Sequence, residues 1–113
     1  MGLKYNREKV IEVVTVKLWR DKDGINTMFG LVLPKKHGGS YVATIAKSRQ
    51  FFSHAYQVDY FKAKIQEALQ ECSQVEVWFF KDIPYCKIPG FDPQQIEVIT
   101  SSYKPRVAQL PAS

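Results

Sequence analysis

Lys17, Trp19, Lys35, Lys36, Lys47, Arg49, Phe52 and Tyr56 have the chemistry of an anion-binding surface. Lysine and arginine neutralise phosphates, and aromatic faces stack on unpaired bases. Interleaving the two is what binding a single nucleic-acid strand requires. Residues 24–58 hold Lys35, Lys36, Lys47, Arg49, His37 and His54 and contain no Asp or Glu. A region of one sign attracts anions and speeds their encounter. Buried strands also carry few charges of either sign, but the retained lysines weigh against that simpler explanation.

Trp78 and Phe80 suggest a different chemistry. They fall on one side of an alternating run, together with Glu76. If a helix covers the Val77 side, two large aromatics face outward, as at a protein interface or a dimer contact. If the strand is central, both faces are buried and the pair is core.

Catalytic and metal chemistry find little support. His37 and His54 are the only histidines, and no Asp or Glu lies near either in sequence. The order His37, His54, Cys72, Cys86 lacks the short-spaced ligand pairs of a zinc site, so no metal is expected. Cys86 with a histidine would be a thiol nucleophile pair, but no strand-turn-helix elbow or glycine-rich oxyanion loop accompanies it. Gly38-Gly39 after two lysines lacks the phosphate-loop frame and precedes a strand rather than a helix, so a tight turn explains it better. No catalytic residue and no cofactor are expected, and a small hydrolase or nuclease is the third reading.

The bulk numbers bound these readings. With 113 residues, 45% hydrophobic and 24% charged, the chain suits one globular domain with a real core. It carries 16 Lys+Arg against 11 Asp+Glu, a formal charge of +5. Residues 1–50 hold ten Lys/Arg and four Asp/Glu (+6), while residues 51–113 hold six and seven (−1). No apolar run approaches the roughly 18 residues of a membrane span, so no membrane partner is expected. The first residues lack the apolar segment of a secretory signal, and a cytoplasmic protein with two reduced thiols is expected, one in the core and one in a loop.

The elements that must position these residues can be read from periodicity. Residues 9–19 are dominated by β-branched side chains and alternate Val14, Val16 and Leu18 against Thr15, Lys17 and Trp19, which predicts a strand. The turn 21–24 ends in Asp-Gly and leads to a second strand, 25–33, with Gly30 a candidate bulge. A basic turn, 35–39, leads to a third strand, 40–46. Val58, Phe61, Ile65, Ala68, Leu69 and Cys72 share one helical face, so a helix ends near Cys72 and begins near Arg49, capped by Ser48, or near Asp59. Residues 75–80 alternate as a strand. Residues 81–90 contain two prolines and read as a loop. Asp92-Pro93 resembles a helix start, but residues 96–100 have strand composition and are assigned to a last strand beside 75–80.

The expectation is an α+β domain over residues 1–103, with an extended tail at 104–113. Its five-stranded, mainly antiparallel sheet has the order β-β-β-α-β-β, with one main helix packed on one face. The function expected is a small, non-enzymatic basic binding module for nucleic acid or another anionic partner. The alternative is a protein-binding or self-assembling accessory protein of phage or mobile-element type, a homodimer among its forms.

Overall fold

Strict alternation governs the longest strand. In Gly24–Pro34, the side chains of Ile25, Thr27, Phe29, Leu31 and Leu33 are buried, and those between them, Gly30 apart, are only partly so. The computed structural model describes residues 2–96. These form β1 (Leu3–Asn6), a 3-10 turn (Arg7–Lys9), β2 (Glu12–Asp21), β3 (Gly24–Pro34), β4 (Ser40–Ile45), β5 (Gln50–Phe52), α1 (Ala55–Gln70), β6 (Gln74–Phe80), β7 (Ile83–Lys87) and a second 3-10 turn (Pro93–Gln95). The fold is α+β. The sheet is mixed, with order β1-β6-β7-β4-β3-β2, and β5 is a further partner of β3. All pairings are antiparallel except β4 with β7.

The ends of the sheet are consecutive in the chain, so the sheet must curl. β1 lies at one end and β2 at the other, joined by the turn Arg7–Lys9. Arg7 N donates to Ser73 O, just before β6, at 2.9 Å, and Ile11 N to Val32 O on β3 at 2.8 Å, so this short connection is pinned on both sides to the strands next to the ends. The hydroxyls of Tyr5 on β1 and Tyr41 on β4 lie 2.8 Å apart, across the curl.

Helix α1 covers the inner face at β2, β3 and β5. Of the predicted stripe it buries Val58, Phe61, Ile65 and Leu69, while Ala68 and Cys72 are partly buried. Phe61 stacks on Phe29 at 4.8 Å between centroids and tilts against Phe52 at 5.9 Å. Each such buried ring contributes roughly 1.5–3 kcal/mol of burial energy. The helix starts at Ala55, between the two expected starts, because residues 50–52 pair with β3 to bury Phe52. Ser48 does not cap it. Gln57 does so in part, its Oε1 accepting from His54 N at 3.0 Å and Ser53 N at 2.8 Å.

The other departures from expectation have local causes. The five-stranded antiparallel sheet becomes a seven-stranded mixed one. β1 is too short to show a period. The 81–90 loop contains β7, whose turn with β6 is Lys81-Asp82 with φ of 52° and 66°. That is the backbone of a tight two-residue hairpin, usually signalled by Asn-Gly. Pro84 is tolerated because pairing with β4 begins only at Tyr85, leaving one flank free. Cys86 is therefore in the core and Cys72 is half-buried beyond the helix end, the reverse of their sequence settings. Asp92 does cap a turn, accepting from Gln94 N at 3.0 Å with Pro93 following, but the turn is 3-10. The expected strand 96–100 and tail 104–113 lie outside the described residues, apart from Ile96, which closes that turn. At Glu76 and Val77 both sides of β6 are taken, by β1 and β7.

Candidate nucleic-acid interface

Two irregularities build the outer face of the sheet, opposite α1. The first is a bulge in β2. Thr15 pairs with Phe29 and Lys17 with Met28, so Val16 is an extra residue. A bulge reverses the alternation beyond it. Lys17 and Trp19 therefore join Val14 and Val16 on the outer face, while Leu18 passes to the inner side with Thr27. The plain alternation read from sequence had opposed these two groups. Gly30 lies across from Val14, and Val16 fills the space its side chain would occupy. The bulge is thus in the strand facing Gly30, not at Gly30 itself.

The second irregularity separates β4 from β5. β3 pairs Gly30 with Thr44 and Thr27 with Gln50, so the chain takes six steps where β3 takes three. Lys47 adopts φ of 62° in this detour. Ser48 replaces the missing backbone partner: its hydroxyl accepts from Phe29 N at 3.1 Å and donates to Phe29 O at 3.1 Å. Lys47 and Arg49, on either side of this buried serine, are exposed. The Arg49 guanidinium sits 5.6 Å from the centre of the Trp19 ring, a cation–π contact.

Further along the face, Trp78 on β6 stacks on Tyr85 of β7, 6.3 Å between centroids and 22° between planes. Lys47, Trp78 and Lys87 line a hollow of about 520 Å³ together with Asp92. Among the described residues the single ion pair is Lys64–Glu67 on the helix, so Lys17, Lys47, Arg49 and Lys87 face solvent without a paired carboxylate.

The structure divides the sequence-derived residues. Trp19 and Arg49 come together on the outer face, where Lys17 also points, while Lys47 lies beside Trp78 and Lys87. Lys35 and Lys36 lie in the β3–β4 turn, at the far end of β4. Phe52 cannot stack on a ligand: it is 1% exposed, in the core between Phe29 and Phe61. Its neighbour Phe51, 53% exposed, is the outward residue of that strand. Tyr56 belongs to α1 and stacks on His54 at 5.2 Å, away from this face. Trp78 and Phe80 do point outward; Trp78 is half-buried under Tyr85, and Phe80 is exposed with Lys81 over its ring at 5.4 Å. Sequence reasoning missed Tyr85 and Lys87, whose alternation around Cys86 was masked by Pro84.

Burial pushes the Cys86 thiol up to about 12, and its Sγ donates to Ala43 O at 3.4 Å. A thiol held protonated inside the sheet is a poor nucleophile. Cys72, half-buried, is the accessible one. Maleimide labelling of the native protein at neutral pH, read by mass spectrometry, is expected to add one label at Cys72. A second should appear at Cys86 only on unfolding, and rapid native labelling of Cys86 would contradict its burial. Among the described residues no three His, Cys, Asp or Glu side chains gather as a metal would require. No helix among them is long and apolar enough to cross a membrane.

The chain matches no family model, no curated protein and no solved structure.

Proposed function

We propose that the protein is a non-enzymatic binding module that holds a single nucleic-acid strand on the outer face of its sheet. The observation that carries this reading is the placing of Lys47 and Lys87 around the stacked Trp78–Tyr85 pair, with the Arg49–Trp19 contact on the same face. The partly exposed rings offer π faces to any base, and the cations, without a paired carboxylate among the described residues, offer charge to the backbone. A duplex would use the cations and leave the rings idle.

Fluorescence anisotropy with a labelled oligothymidylate of about twelve nucleotides tests this. Arg49→Ala and Trp78→Ala are each expected to weaken binding about tenfold, the lower part of the stacking range. Raised salt should weaken the wild type steeply. A flat titration to tens of micromolar protein at low salt would reject the reading, because even non-specific binders reach that range.

A second reading rests on the apolar end of the same face, where Phe80 is 59% and Ile83 51% exposed. They make a surface for a protein partner or a second copy of the chain. Light scattering that gives a dimer, lost in Phe80→Asp, together with no oligonucleotide binding, would put this reading first.

A further inference from the structure

A second cluster of cations lies where the curled sheet brings its ends together. Lys4, Lys9, Lys35 and Lys36 line a groove of about 550 Å³ with Leu3 and Tyr5. Asn6 and Pro34 complete it, so no acid borders it, and none of its lysines is ion-paired among the described residues. The four come from three separate places: β1, the turn after it, and the β3–β4 turn. Only the curl gathers them.

The groove connects with the outer face through one row. Lys87 on β7 pairs across the sheet with Glu76 on β6, and Glu76 with Lys4 on β1. Two inter-strand steps separate Lys87 from Lys4, about 10 Å. Lys87 borders the hollow beside Trp78, and Lys4 borders the groove. An arc of positive charge, broken only at Glu76, therefore runs from Lys47 and Lys87 past Lys4 to Lys35 and Lys36.

We infer that this groove carries the phosphodiester backbone of the same strand whose bases lie on the outer face, so that the ligand is a strand of at least about six nucleotides. This rests on the function proposed above. The length follows from β4, whose six residues separate the Lys35–Lys36 turn from Lys47. That is about 20 Å at roughly 3.3 Å per residue, or about six phosphates at 3.4 Å each along a stacked strand. Glu76 is the repulsive point on the path. It favours a strand that crosses between Lys87 and Lys4 with a base, not a phosphate, over the carboxylate.

The salt dependence of binding to the oligothymidylate of about twelve nucleotides tests the groove. The double variant Lys35→Ala/Lys36→Ala is expected to reduce the slope of log affinity against log salt by about 1.4, two contacts at about 0.7 each on a single strand. The control double variant Lys62→Ala/Lys64→Ala, with the same charge change on the helix, should leave the slope in place. Glu76→Gln should tighten binding about threefold, the size of one charge repulsion at ~6 Å in water. If the oligonucleotide binds but the groove variant keeps the wild-type slope, the groove is empty and the inference fails, while the outer-face reading stands. Equal slope losses in both double variants would reduce the groove to a share of the net charge and also overturn it. No binding by the wild type would remove the function and the groove together.

Discussion

Ser48→Ala is expected to lower the unfolding free energy by about 3 kcal/mol, since each buried polar group left without a partner costs roughly 1–3 kcal/mol. Ser48 is completely buried, and its hydroxyl is both acceptor and donor for the backbone of Phe29. Alanine would leave an amide and a carbonyl in the middle of β3 facing a methyl group. Domains of this kind have only about 5–15 kcal/mol in hand. The loss should appear in urea denaturation as a lower midpoint with an unchanged slope. A second effect should accompany it. Ser48 ties down the detour that carries Lys47 and Arg49, so Arg49 should leave Trp19 and oligonucleotide affinity should drop even where the variant remains folded. A shift below about 1 kcal/mol would show that Ser48 does not stand in for the absent strand partner.

Gly30→Ala is expected to be about as costly, near 3 kcal/mol, at the upper end of overpacking effects. A Cβ at position 30 would lie 2.5 Å from Val16 Cγ2, 2.7 Å from Ala43 O and 3.0 Å from Val42 Cγ1. Two of these atoms are side-chain methyls that can turn away. The Ala43 carbonyl belongs to the β3–β4 ladder and cannot. Val16→Ala in the same chain should therefore restore only part of the loss. Full rescue would mean that the methyl clash alone sets the cost, and wild-type stability in the single variant would mean that the bulge is not packed onto Gly30. The test bears on the interface as well, because the bulge is what sends Lys17 and Trp19 to the outer face.

Much of the fold was legible wherever the apolar period ran long. The residues 25–33, 40–46 and 75–80 became β3, β4 and β6, and the stripe Val58, Phe61, Ile65 and Leu69 became the buried side of α1. The short strands were not legible. Leu3–Asn6 and Gln50–Phe52 have four and three residues, too few to show a period, and they are strands because β6 and β3 offer them edges. In Ile83–Lys87 the proline counted against a strand, while the evidence for one was a partner, β4, far away in the chain. Of the proposed interface, Lys17, Trp19, Lys47 and Arg49 were visible as residue types in a stretch poor in acids. Phe52 was assigned to the wrong side by one position, since Phe51 is the outward neighbour.

Residue types by themselves set the excess of positive charge in the first half, the strands with long alternation and the face of the helix that had to be buried. These follow from local chemistry: a period of two or of 3.6 is written in neighbouring residues. Only the folded chain decided which cations share a surface. A single extra residue at Val16 turns Lys17 and Trp19 outward. Three extra steps between β4 and β5, held by a serine hydroxyl on Phe29, place Arg49 over Trp19 and Lys47 beside Trp78 and Lys87. The curl carries Lys4 and Lys9 to Lys35 and Lys36. Each of these depends on a partner strand distant in sequence, and in a sheet a shift of one residue exchanges the two faces.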